Sequence, residues 1–291
     1  MITIKDSINL FLESKVKNSV KPGTYGYYEQ NYRIIMDFCK LNNFIYLTDL
    51  PENVNLLFID YLKNIRKVGN GTVNKRIEKL KQLLKFNKIY FDWFKDKKLS
   101  EPIKTFDLIP ELELKKIINY INNLDDSEIN LTYKVLIFLF IDTGSRIDEL
   151  LNIQLKNIDL IERTILLTHT KTNNHRFVFF NEYTCLLIKK YIAIKNDRIY
   201  LFYNFRVDSR LLRGAVVRFL NRLKKELNII NLHPHMFRHT FATLLIENEA
   251  PIVLISKLLG HCDVKITMRY VHQSKKLLKR EFDRYFPSLL K

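Results

Sequence analysis

The chain has 291 residues, 47% hydrophobic and 27% charged, enough for two domains that each bury a core. Its 48 Lys and Arg against 31 Asp and Glu leave a formal charge of +17, whose self-repulsion a polyanionic partner offsets. The excess is carried by both halves: residues 1–108 hold 19 basic and 12 acidic side chains, the remainder 29 and 19. Cys39, Cys185 and Cys262 are far apart and odd in number, which excludes a disulfide framework or a Cys-x-x-Cys zinc site and suits a reducing cytosol.

With only 7 Gly and 7 Pro, the expected class is mainly α. Met1 to Asp6 carry no apolar leader, and the longest apolar run, Val135 to Ile141, is too short to span a bilayer and reads as a buried helix. A cytoplasmic location is therefore expected. Residues 4–17 read as a helix with Ile4, Ile8, Leu10, Phe11 and Val16 on one face. Pro22-Gly23-Thr24 offers Thr24 as the N-cap of a second helix to about Leu41. A third follows Pro51 to about Lys67. Gly69-Asn70-Gly71-Thr72 forms a turn and cap before a fourth helix from Val73 to about Tyr90. On that helix Val73, Ile77, Leu80 and Leu84 form an apolar stripe. Lys75, Arg76, Lys79, Lys81, Lys85 and Lys88 crowd the other faces, a pattern suited to a phosphate backbone or to a solvated lysine surface.

From Trp93 to Asp107 the period is lost, so residues 96–108 are expected as a linker between a domain of residues 1–95 and one of residues 109–291. The second domain is expected to be helical with one β element, strands Thr164–Thr168 and Arg176–Phe180, joined across Lys171-Thr172-Asn173-Asn174. Near the C-terminus, Leu277, Leu278, Phe282, Tyr285 and Phe286 form an apolar face between basic residues, expected to dock on a neighbouring protomer.

Three separated clusters carry chemistry. Thr143-Gly144-Ser145-Arg146 opens a helix with a guanidinium suited to phosphate. His235 and Arg238 share a helix face, three residues apart, and could reach one phosphate. His235 and His239, at i and i+4, could also be metal ligands, but Met236 occupies the place of the Glu in the familiar helical zinc motif, and no metal is expected. The third cluster is Leu258-Leu259-Gly260-His261, with Tyr270 nine residues after the histidine.

Taken in order, these residues resemble the tyrosine recombinase (phage integrase) family, nearest to its compact Xer-like members. The family's order of Arg, Lys, His-x-x-Arg, His and Tyr is matched by Arg146, Lys171, His235 with Arg238, His261 and Tyr270. Ser145, Asp148 and Phe237 depart from its usual residues, and the turn around Lys171 lacks its flanking glycines, so Lys190 and Arg176 stay open as alternatives. The resemblance implies a four-helix core-binding (SAM-like) domain and a mainly α catalytic domain with a small antiparallel sheet. It also implies DNA cleavage through a 3′-phosphotyrosyl bond without metal or other cofactor, and a tetramer on two double-stranded DNA sites. Arg146 and Arg238 would clamp the phosphate, His235 act as base, Lys171 protonate the departing 5′ oxygen and His261 bond the phosphate. Glu149, three residues after Arg146, would orient a neighbour. The rival expectations are topoisomerase-like relaxation and a non-catalytic DNA-binding module; chromosome-dimer resolution, mobile-element integration and dependence on an activating protein stay open.

Overall fold

In the computed structural model the described residues are 2–17, 22–102, 106–169, 175–194, 198–204, 207, 209–261, 263–271 and 279. Lys171, Cys262 and the apolar positions Leu277, Leu278, Phe282, Tyr285 and Phe286 lie outside them. The chain divides into two compact units, Met1–Lys104 and Thr105–Lys291.

The first unit is built from α1 (Ile4–Lys17), α2 (Pro22–Leu41), α3 (Val54–Asp60, continued by a π-helical turn, Tyr61–Ile65) and α4 (Asn70–Phe86). Ile4, Ile8 and Phe11 of α1 are buried, but Leu10 and Val16 are 48% and 59% exposed. At about 100° per residue these two fall roughly 120° from the buried stripe on either side, so they do not share its face. Helix α2 already begins at Pro22, leaving Thr24 inside the first turn rather than at the cap, because Pro suits an opening turn whose N–H would go unbonded. Likewise α4 starts at Asn70 with Gly69 as its cap, so Thr72 lies within the helix. Val73, Leu80, Leu83 and Leu84 of α4 meet Phe38, Phe58 and Leu62 in one core, with the Phe38 and Phe58 rings 4.9 Å apart.

The aperiodic segment after α4 packs on this unit. Trp93 is buried, and the Asn74 side chain accepts from the Leu99 N–H and donates to the Leu99 carbonyl. Side-chain hydrogen bonds and a ring anchor this stretch, which is why it has no hydrophobic period. The basic side chains of α4 are divided in use. Lys81 donates to the Phe94 carbonyl and lies over the Trp93 ring, Lys79 lies over Tyr28 and Lys85 over Phe94. Lys75 and Lys88 are exposed.

The second unit centres on α6 (Glu128–Thr143), apolar on every side from Val135 to Phe140 and correspondingly buried. Around it lie α5 (Glu111–Asn122), α7 (Ile147–Leu151), α8 (Glu182–Ile194), α9 (Arg213–Glu226), α10 (Pro234–Glu247), α11 (Ile252–Leu259) and α12 (Val264–Val271). A three-stranded antiparallel sheet runs in the order β1 (Ile158–Asp159), β2 (Thr164–Leu167), β3 (Arg176–Phe179), with Ile165 opposite Val178. The expectation of one β element is corrected by a second sheet, β4 (Tyr203–Asn204) with β5 (Ser209–Arg210). Strands of two residues are too short to show an alternating pattern. Among the described residues no helix is long and apolar enough to cross a membrane.

Candidate functional site

The site forms where the C-terminal end of α6, the start of α7, the start of β3 and helices α10 to α12 meet. Gly144 ends α6 in the left-handed conformation, φ 56°, and its carbonyl accepts from Arg238 Nη1 at 3.0 Å. A Cβ there would stand 2.5 Å from the Phe241 ring. Gly144→Ala is therefore expected to cost about 2 kcal/mol or more, from left-handed backbone strain plus the clash, and to displace the carbonyl that holds Arg238. A urea titration that leaves the transition midpoint unchanged would refute this.

Arg146 is the N-cap residue of α7. Its N–H and its Nη1 both donate to Glu149, at 2.8 Å each, closing the helix start with a carboxylate. Glu149 is 3% exposed and takes a second guanidinium, Arg176, through Nη1 at 3.1 Å and Nη2 at 2.7 Å. Arg176 Nε in turn donates to the Leu258 carbonyl at 2.8 Å, tying β3 to the end of α11. Burial alone would raise the Glu149 carboxyl, but the bonds and charges of Arg176 and Arg146 overcome it and hold it at about 2. Arg176 is thus engaged by Glu149 and by the Leu258 carbonyl. Lys190 on α8 pairs with Asp126, which also binds Lys134. Lys171 itself lies outside the described residues.

Helix α10 begins with Pro234 at its first position, and His235, Arg238 and His239 share one face. The opposite face buries Met236 and Phe237, with Phe237 stacked on Phe140 at 5.4 Å. Arg238 is 3% exposed and donates to the Gly144 and Leu259 carbonyls. Burial, followed by the field of Arg146, lowers its pKa to about 9, so it stays cationic at neutral pH. His235 is exposed at the N-terminal end of α10. Desolvation by the surrounding protein and the charge of Arg238 push its pKa down.

Gly260 caps α11 in the left-handed conformation, φ 63°, and leads to His261. His261 Nδ1 shares a 2.7 Å hydrogen bond with Thr267 Oγ1 on α12. Its pKa falls to about 4 through burial and then the Arg238, Arg146 and Arg176 charges. The Tyr270 ring, also on α12, lies parallel to His261 with centroids 6.4 Å apart. Tyr270 is 3% exposed, and its hydroxyl is 2.9 Å from His239 Nδ1. Phe106 stacks on His239 at 4.3 Å and packs on Tyr270 at 4.6 Å.

Arg146, Arg238, His261 and Tyr270 are therefore brought together, with His235 on the same helix face as Arg238. His239, Thr267 and Phe106 join them without having been read as catalytic from the sequence, and Arg176, read there only as an alternative to the lysine, joins them as an ion-pair partner of Glu149. The spacing of His239 from His235 is visible in the sequence, but it suggests there only a metal pair, which Met236 disfavours. Thr267, Phe106 and the ion-pairing role of Arg176 left no sequence signal. Arg146, Arg176 and Arg238 converge with one carboxylate, Glu149, among the charges that act on them. The resulting positive field suits a phosphodiester anion.

The chain belongs to the phage integrase family, whose sequence model matches residues 108–276. A probable integrase/recombinase of Acholeplasma phage L2 is 32% identical over 258 residues, covering 88% of this chain and 89% of that protein. Tyrosine recombinase XerA of Saccharolobus solfataricus is 30% identical over 285 residues, covering 95% and 91%. The solved structure of the Tn1549 transposon integrase in complex with a circular intermediate DNA shares the fold, with a TM-score of 0.76, 17% identity and coverage of 98% and 100%. The chain is a tyrosine recombinase, an enzyme of site-specific DNA cleavage and rejoining.

Proposed function

We propose that Tyr270 attacks a DNA phosphate between the guanidinium groups of Arg146 and Arg238, giving a 3′-phosphotyrosyl bond and a free 5′-hydroxyl. The observation that carries this reading is the convergence of Arg238 from α10, His261 from the turn after α11 and Tyr270 from α12 on one cationic cluster. Attack builds charge on the non-bridging oxygens, where preorganised donors are worth most. His261 is neutral at neutral pH, and in the tautomer in which Thr267 Oγ1–H donates to Nδ1 its Nε2–H donates to the phosphate. Lys171 protonates the departing 5′ oxygen, a role that rests on the family resemblance. Glu149 fixes Arg146 through two hydrogen bonds. The new bond retains the energy of the broken one, so rejoining needs no energy cofactor.

Double-stranded DNA is the substrate, and four protomers on two duplexes exchange strands in pairs, again by family resemblance. The positive charge on both units supports a two-unit grip. If about six to ten phosphates are neutralised, log K against log salt has a slope of roughly −5 to −9. Fluorescence anisotropy from 50 to 300 mM salt, on the order used for such titrations, measures it, and a nearly flat dependence contradicts the two-unit clamp. The proposal as a whole is tested by incubating the chain with fragmented genomic DNA, denaturing in detergent and sequencing protein-linked strands. Adducts through a 3′ phosphate support it. DNA retained without any adduct favours a binding module of the same fold.

A further inference from the structure

Building on the proposed role of Tyr270, we infer that His239 is a further catalytic residue, the acceptor of the Tyr270 hydroxyl proton. The resemblance gives the base role to His235, the first histidine of its helix. The geometry favours the second. His239 Nδ1 stands 2.9 Å from Tyr270 Oη, within hydrogen-bond distance, and in the tautomer with Nδ1 unprotonated the phenol O–H donates to it. His235 is exposed at the start of α10, on the side open to a phosphate, whereas Tyr270 is 3% exposed. The third histidine, His261, has its Nδ1 taken by Thr267.

The surroundings suit a proton acceptor. Phe106 packs on His239 and Tyr270 together, shielding the phenol from water. The charged and titratable groups acting on His239 are His235 and Arg238 on its own helix, His233 before it, and Asp107 beside Phe106; Tyr270 faces it from α12. Burial comes first, then His235, Arg238 and His233, against Asp107, lowering the His239 pKa to about 4, so the imidazole of the free chain is unprotonated at neutral pH. The step balances. The proton passes from Tyr270 Oη to His239 Nδ1, the phenolate oxygen bonds to phosphorus, and the 5′ oxygen leaves with a proton from Lys171. Rejoining runs the sequence backwards and returns the proton to the phenol.

The test is the pH dependence of adduct formation on DNA recovered by the trapping experiment, for wild type, His239→Asn and His235→Asn. Asn can hydrogen-bond the phenol but cannot take its proton. His239→Asn is expected to be slower by about 10²–10⁴-fold at pH 7. Its rate should then rise about tenfold per pH unit toward the phenol's ordinary pKa near 10, while wild type stays flat from about pH 6 to 8. His235→Asn should keep the flat profile. A His239→Asn rate lowered equally at every pH would mean a purely structural role, and one raised above wild type would mean that His239 only restrains Tyr270; either overturns the inference. So does hydroxide dependence appearing in His235→Asn instead. Absence of adducts from all three proteins overturns the functional reading, and imidazole ¹⁵N spectra of the free chain then decide the inference separately. A proton-free His239 Nδ1 that shifts in Tyr270→Phe supports it, and a protonated Nδ1 at neutral pH overturns it.

Discussion

Tyr270→Phe is expected to remove covalent attachment to DNA while leaving DNA affinity within about twofold of wild type. The phenyl ring keeps the contacts with Phe106 and the parallel approach to His261, since neither uses the hydroxyl. What it loses is the attacking oxygen and the hydrogen bond to His239, the latter worth about 1 kcal/mol of stability. Losing a nucleophile without a substitute lowers such reactions by at least about 10⁴-fold, which takes adducts to background. The measurement pairs detergent-resistant adduct yield with a filter-binding curve for the same protein. Adducts persisting in Tyr270→Phe would place the nucleophile elsewhere. Affinity lost together with adducts would show that the substitution disturbed the DNA-binding surface and not the chemistry alone.

Glu149→Ala is expected to be the most damaging substitution to stability within the site. The carboxylate is 3% exposed and accepts from Arg146 and Arg176, so its removal leaves the Arg176 guanidinium, 9% exposed, without its carboxylate partner. Breaking one side of such a buried pair costs about 3–5 kcal/mol. The effect has a pH signature with a definite sign. Glu149 is held at about 2 against an ordinary 4.5, so its folded-state pKa is depressed. Its contribution is complete above the unfolded value and is lost as pH falls from about 4.5 toward 2. A displacement of that size corresponds to about 3 kcal/mol. Urea unfolding of wild type and Glu149→Ala should therefore differ most at pH 7, and the difference should shrink as the solution approaches pH 2. A difference that stays constant across this range would mean that Glu149 contributes by packing and not by its charge.

The consequences for catalysis follow from the same contacts. Glu149 receives both the N–H and the guanidinium of Arg146, and Arg176 bridges onward to the Leu258 carbonyl, two residues before Gly260. One carboxylate thus sets the start of α7 and connects it, through β3, to the turn that presents His261. A Cβ on Gly260 would lie 2.9 Å from Arg176 Nη1, so close passage of this arginine is part of why glycine stands there.

By itself the sequence determined the helical class, the buried run that became α6, the principal hairpin, and the polar groups Arg146, His235, Arg238, His261 and Tyr270 with their order. These were legible because helical periodicity and residue chemistry are local, and a helix places residues i, i+3 and i+4 on one face whatever surrounds it. Residue type could also suggest Glu149, since a carboxylate three positions after an N-cap returns to that cap's N–H. The tertiary structure decided which groups meet. Arg176 joins Leu258 across 82 residues of sequence and Glu149 across 27, and His239 meets Tyr270 across 31. Contacts at such separations depend on how helices and strands pack, and a backbone carbonyl that holds an arginine carries no signature in residue identity. The same reason explains the misplaced caps at Thr24 and Thr72. Capping residues are also acceptable within a first turn, and only the path of the preceding chain selects where the helix begins.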